Sequence, residues 1–218
     1  MKRFLLVLYV IILCSEAFSQ NSKVSVGMVL SPPFMRLSSD QVLSTNETQY
    51  NYSAGFSTDY TFNSLFSLKS VIFYEKKLIK NEIYGIGENN MPVQIGNVSF
   101  NYNYLILPIL GSFSSEGKIT LHFDAGPYFG YLINQKTTVN SLSNITNQII
   151  ESKGIRKKFD FGITLASGLS FPINSRFIFD LGLQANFGLV NISKNPDADK
   201  GSIKTNSVGL LVGLKYKL

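Results

Sequence analysis

The stretch Ser207-Val-Gly-Leu-Leu-Val-Gly-Leu-Lys-Tyr-Lys-Leu218 alternates with a period of two. Extended, it places Val208, Leu210, Val212, Leu214, Tyr216 and Leu218 on one face, with Ser207, Gly209, Leu211, Gly213, Lys215 and Lys217 on the other. Working back along the chain, the pattern recurs. Phe177, Phe179, Leu181, Leu183, Ala185, Phe187 and Leu189 oppose Asp180, Gly182, Gln184, Asn186 and Gly188. Phe159, Phe161, Ile163, Leu165, Leu169 and Phe171 oppose Asp160, Gly162, Thr164, Gly168 and Ser170. Ile119, Leu121, Phe123, Ala125, Phe129, Tyr131 and Ile133 oppose Thr120, His122, Asp124, Gly126, Tyr128 and Gly130. No segment carries a convincing helical period.

Earlier segments are less regular: Val24, Val26, Met28, Leu30; then Tyr52, Ala54, Phe56, Tyr60, Phe62; then Leu68, Ile72, Tyr74; then Leu105, Leu107, Ile109, Phe113. In the last of these, Ile106 and Leu110 make the opposite face apolar as well. The total is eight segments, the even count of the smallest closed membrane barrel. Connections alternate in length. Asn63 to Phe66, Ser114 to Lys118 and Pro172 to Arg176 are tight turns, whereas Ser31 to Asn51, Glu75 to Phe100, Asn134 to Lys158 and Val190 to Thr205 are long. An even strand number brings both termini to the short-turn side, which is periplasmic in such barrels.

A soluble barrel would alternate equally well, so volume and charge decide which face looks outward. The interior of eight strands is just wide enough for side chains to fill, and the many Phe, Tyr and Leu of the apolar faces do not fit there. The glycine-rich faces do. The apolar parity also carries no Asp, Glu, Lys or Arg within a strand, as a lipid face requires at about 2–4 kcal/mol per midplane Lys or Arg.

Composition agrees. The 218 residues are 44% hydrophobic with 17 Gly, one Cys, one His and a formal net charge of +6, which excludes a disordered chain, a collagen and a disulfide scaffold. The longest apolar run, Phe4 to Leu13, is too short to cross a membrane as a helix. Lys2 and Arg3 before that run, with Ala17 and Ser19 after it, read as a secretory signal peptide of residues 1–19, leaving residues 20–218 as one barrel domain. Cleavage there removes Cys14; a lipid anchor on that cysteine is disfavoured by the large Leu13.

Tyr104-Leu-Ile-Leu-Pro108-Ile-Leu110, Asp124-Ala-Gly-Pro127-Tyr-Phe-Gly130-Tyr-Leu132, Asp160-Phe-Gly162 with Gly168, and Gly182 to Asn186 leading into Gly188-Leu-Val-Asn-Ile192 resemble the porin-like outer-membrane β-barrel domain family. The resemblance covers essentially all of residues 20–218 and implies an all-β fold: an eight-stranded antiparallel up-and-down transmembrane β-barrel in a bacterial outer membrane. It implies architecture more than activity. Leu218 stands where such barrels usually end in an aromatic residue. Pro108 and Pro127 inside strands are expected to be β-bulges.

Asp59, Lys69, Asp124, Asp180 and Lys215 share the inward parity near the short turns. Buried charges must pair, so they are expected to form an ionic plug, or alternatively a constriction that selects ions. His122 lies two residues from Asp124, but no serine is placed beside it by sequence, and it reads as a hydrogen-bonded lumen histidine rather than a catalytic one. Lys76, Lys77, Lys80, Arg156, Lys157 and Lys158 cluster where strands leave the membrane on the long-loop side, and are expected to face lipopolysaccharide phosphates. Asn195, Asp197, Asp199 and Gly201 resemble part of a calcium loop, yet the Gly is one place late and the closing Glu is missing, so the stretch reads as a solvated turn. No cofactor, metal site or nucleic-acid partner is expected. The expected partners are outer-membrane lipid and lipopolysaccharide, the barrel insertion machinery and extracellular ligands of loops such as Thr137 to Gln148. The functions open to such a chain are a non-enzymatic closed barrel displaying loops for surface interaction or envelope integrity, a small porin, and, third, an enzyme of envelope lipids.

Overall fold

The computed structural model describes residues 23–39, 48–86, 91–141, 148–150, 156–194 and 203–218. Strands among them are β1 (Val24–Leu30), β2 (Pro33–Ser39), β3 (Thr48–Thr61), β4 (Phe66–Ile86), β5 (Pro92–Ser114), β6 (Thr120–Ser141), β7 (Gln148–Ile150), β8 (Phe159–Pro172), β9 (Phe177–Gly188) and β10 (Ile203–Lys217). They make eight antiparallel staves in a ring, because β1 and β2 are two parts of one stave and β7 only flanks β6. Pairing with β10 stops after Leu30↔Val212 and resumes at Pro33↔Gly209 with no residue gained or lost, so Ser31 and Pro32 interrupt the ladder without shifting it.

The ring is closed by β1 and β2 against β10. A walk across the strands from Val24 passes Tyr60, Leu68, Gly111, Ala125, Leu165, Ala185 and Val208, and arrives at Phe34, ten residues further along the first stave. That stagger tilts eight strands by roughly 40° and fixes the radius at about 8 Å, so inward side chains from opposite walls meet.

Parity is as the alternation requires. Along β8, exposure and burial alternate from Phe159 to Thr164, with apolar residues outward and Asp160, Gly162 and Thr164 inward. Outward aromatic residues pair with one another at two levels, across strands except for Tyr60 and Phe62, which follow each other along one stave. Near the turns stand Tyr60–Phe62, Phe66–Phe113 and Phe177–Tyr216, with centroids 5.1, 5.3 and 5.2 Å apart; at the other level stands Tyr131–Phe159 at 5.3 Å. Along β4 the levels are marked by Phe66 and Tyr74, about 20 Å apart for tilted strands, close to the height of a membrane barrel's apolar band.

The short turns are built by asparagine. Asn63 Oδ1 accepts the amides of Leu65 and Phe66 at 2.9 and 2.8 Å, and Asn174 Oδ1 accepts those of Arg176 and Phe177, both at 2.8 Å. Between β5 and β6, Gly117 takes φ +146°, a conformation that disfavours a side chain.

Two expectations are corrected. The connections read as loops at Glu75–Phe100 and from Asn134 are largely strand: β4 runs on to Ile86, β5 starts at Pro92 and β6 continues to Ser141. Beyond the apolar band both faces of a strand meet water, so outward residues need not be apolar and the alternation fades while the ladder persists. Pro108 and Pro127 are not bulges either. Each keeps its partner on one side, Tyr128 and Ile163, and drops out of the ladder on the other, toward Val71 and Ile109, with no shift of register; Ser70 Oγ donates to the Pro108 carbonyl at 3.2 Å. The register shifts lie at Ile83/Tyr84 and Asn103/Tyr104. Residues 1–19 and the stretch Asn195 to Gly201 lie outside the described residues.

Candidate functional site in the lumen

The inward side chains form three levels. At the turn end, Lys215 Nζ bonds both Asp59 and Asp180, tying β10 to β3 and β9. Lys69 Nζ donates to both oxygens of Asp124 at 3.0 and 3.2 Å, tying β4 to β6, and His122 Nδ1 lies 3.1 Å from Asp124 Oδ2. The five sequence-selected charges therefore sit together, each no more than 9% exposed. Burying ions costs several kcal/mol apiece unless they are paired, and here each pair joins different strands. A recess of about 510 Å³ opens at the turn end, with Asp59, Lys69, Asp180 and Lys215 on its wall.

The register adds a neighbour that the sequence did not reveal: Ser114 stands opposite His122. Nucleophilic catalysis needs the hydroxyl bonded to the imidazole nitrogen that the acid leaves free. That nitrogen, Nε2, is buried without a hydrogen-bond partner among the described residues, against the backbone of Gly168.

The middle level differs around the ring. Val29, Val71, Phe73, Ile106, Leu110 and Tyr128 make the wall of β1, β4, β5 and β6 apolar and buried, a character the sequence showed only at Ile106 and Leu110. The wall of β8, β9 and β10 is polar: Thr164 Oγ1 donates to Asn186 Oδ1 at 2.7 Å, and Asn186 Nδ2 donates to Ser207 Oγ at 3.2 Å. The bulk of one wall is accommodated by the absence of side chains on the other. A Cβ at Gly162 would lie 2.5 Å from Cε1 of Tyr128.

At the far end a second buried cluster closes the lumen. Lys77 lies 3.1 Å from Glu75 and 4.8 Å from the centroid of Tyr104; Arg156 lies over Tyr102 at 5.8 Å; Tyr128 Oη donates to Asp160 at 3.3 Å. Lys77 is thus corrected from the rim to the interior, 1% exposed. Its signal was present in the sequence, since Lys69, Val71, Phe73, Glu75 and Lys77 share one parity. Lys76 points the other way, over Tyr52 at 5.9 Å, and Lys157 and Lys158 are exposed. Lys80 pairs with Thr48 in the β3–β4 ladder, and its side chain lies outside the described residues.

Comparison with known proteins matches this architecture. The family model "outer membrane protein beta-barrel domain" matches residues 18–194. Among solved structures, Neisserial surface protein A (NspA) is 14% identical, with 90% of this chain and 98% of that chain covered and a TM-score of 0.48. OprG of Pseudomonas aeruginosa is 11% identical, with coverages of 89% and 94% and a TM-score of 0.47. Ail, the attachment invasion locus protein of Yersinia pestis, is 12% identical, with coverages of 90% and 99% and a TM-score of 0.43. No curated protein sequence matches. With eight strands closed in a ring, an apolar outer band and a model match over most of its length, the chain belongs to the outer membrane protein beta-barrel domain family, whose place is the bacterial outer membrane.

Proposed function

We propose that this protein is a non-enzymatic, closed barrel that anchors a surface-exposed sheet in the outer membrane, for surface interaction or envelope integrity. The observation that carries the reading is a lumen filled at three successive levels by buried, mutually paired side chains, from Lys215–Asp180 through Phe73 and Tyr128 to Lys77–Glu75. In this reading the short turns and both termini face the periplasm, and β4, β5 and β6 rise outside the cell, β4 by about 30 Å beyond Tyr74. Tyr84, Ile86, Met91, Val93 and Ile95 are exposed near the tip of that sheet, as a contact surface for an extracellular partner would be. The basic residues left at the rim, Lys76, Lys157 and Lys158, with Arg156 half-buried behind them over Tyr102, suit the phosphates of lipopolysaccharide. The alternating Val208 to Leu218 is the segment offered to the insertion machinery. The unpartnered Nε2 of His122 supports the absence of nucleophilic catalysis.

A small porin is the second reading, favoured by the recess at the turn end with charges on its wall. Planar-bilayer conductance of the refolded protein separates the two. The closed barrel is expected to give no steady current, and discrete, reproducible conductance steps would replace it with the porin.

A further inference from the structure

A short cap is built where β6, the approach to β8 and the segment after β9 meet. Lys157 N donates to the Ile192 carbonyl at 2.8 Å, Leu132 N donates to the Lys158 carbonyl at 2.7 Å, and Arg156 pairs with Ser193 as an isolated bridge. Ile192 and Ser193 are 2% and 0% exposed, so the cap is packed rather than draped. Beside it lies a cavity of about 410 Å³ on whose wall stand Arg156, Lys158 and Lys194, with Asn134 and Gln135. Among the described residues no carboxylate lines it. Nη1 of Arg156 is buried without a hydrogen-bond partner among the described residues, although a buried guanidinium donor gains most from an anion.

The remaining wall gives the ligand its second property. Ile133 lines the same cavity, is exposed and points outward, two residues beyond Tyr131 of the Tyr131–Phe159 pair that marks the upper edge of the apolar band. The cavity is therefore cationic on one side, apolar on the other, and set at headgroup height. A free anion uses only the first of these features, whereas a phosphorylated lipid uses all three.

We propose that this cavity is a binding site for the phosphate of a phosphorylated outer-leaflet lipid, with Arg156, Lys158 and Lys194 supplying the charge and Asn134 and Gln135 further donors. The site rests on the rim reading given above, but adds Lys194, Asn134 and Gln135, and assigns the contact to a built cavity rather than to an open rim.

The test uses the full chain in phosphatidylcholine nanodiscs containing a minority of lipid A, either phosphorylated or dephosphorylated, with retained lipid counted by native mass spectrometry. The wild type is expected to retain the phosphorylated form about tenfold better. Lys158→Ala and Lys194→Ala, both at exposed positions where folding is not at stake, are expected to reduce that preference by about threefold or more each, and Arg156→Ala to abolish it. Lys118→Ala, in a short turn at the opposite end, is the control that leaves it unchanged. Preference retained in the cavity variants but lost in Lys76→Ala with Lys157→Ala would overturn the cavity and leave the rim. Equal retention of both lipids by the wild type would overturn both. Inorganic phosphate at millimolar concentration displacing the lipid completely would make the site a free-anion pocket and overturn its lipid source.

Discussion

The two ends of the lumen are closed by different chemistry. At the turn end, small and charged side chains do the work: Lys215 bridges Asp59 and Asp180, and Lys69 holds Asp124 beside His122. At the far end, the charges Lys77 and Arg156 lie over the rings of Tyr104 and Tyr102, and Tyr128 reaches Asp160. An ion pair between strands fixes which residue faces which but fills little volume. A ring fills volume and tolerates small displacements. The turn end is therefore the part of the lumen that specifies alignment, and the far end the part that excludes water.

The largest effect that could break this contrast is at Lys215. Lys215→Ala leaves the carboxylates of Asp59 and Asp180 buried without their cation and is expected to cost about 3–5 kcal/mol, read from urea unfolding of the refolded barrel. Neutralising the set in the triple variant Asp59→Asn, Asp180→Asn, Lys215→Met should recover most of that loss. A triple variant as unstable as the single one would mean that the ion pairs themselves stabilise this end, rather than the lysine merely compensating buried carboxylates. Next comes Gly162→Ala, whose methyl meets Tyr128 and the Phe187 carbonyl; about 1–3 kcal/mol is expected, with partial rescue in a double variant with Tyr128→Ala. Additive losses there would uncouple the two walls. Tyr104→Leu keeps an apolar side chain under Lys77 but removes the ring face, and a loss of about 1 kcal/mol is expected. A loss matching that of Lys215→Ala would erase the difference between the ends. Lys76→Ala, on the outer face of the same strand as Lys77, is expected to change stability by no more than about 0.5 kcal/mol.

How much of this the sequence discloses follows from where water and lipid lie. Inside the apolar band one face of each strand meets lipid and the other meets the lumen, so Phe177 to Leu189 and Val208 to Leu218 declare both their structure and their facing. The five turn-end charges are legible for the same reason. Past the band the contrast between faces disappears, and β4 beyond Tyr74 shows a lysine-rich stretch, Lys76, Lys77 and Lys80, in place of an alternation. Counting on from Lys69 would still have put Lys77 inside. Arg156 carried no such clue, because it precedes β8 and reaches Tyr102 only through the folded-in cap. Pairing partners were not legible either. Which aspartate Lys215 meets depends on the stagger of the ring, and stagger is a property of all the strands together.

The unbroken alignment across Ser31 and Pro32 bears on how the barrel assembles. Each neighbouring pair of staves but one is formed by segments that follow each other along the chain, so hairpins can zip in sequence, each closing a loop far shorter than the whole chain. The exception joins Ser25 to Lys217, across nearly the whole chain, and must wait for every other pair. Proline deprives this last seam of an amide donor at Pro32, so the joint that forms last also holds by fewer hydrogen bonds at its centre. When the barrel is strained, opening should begin along that seam.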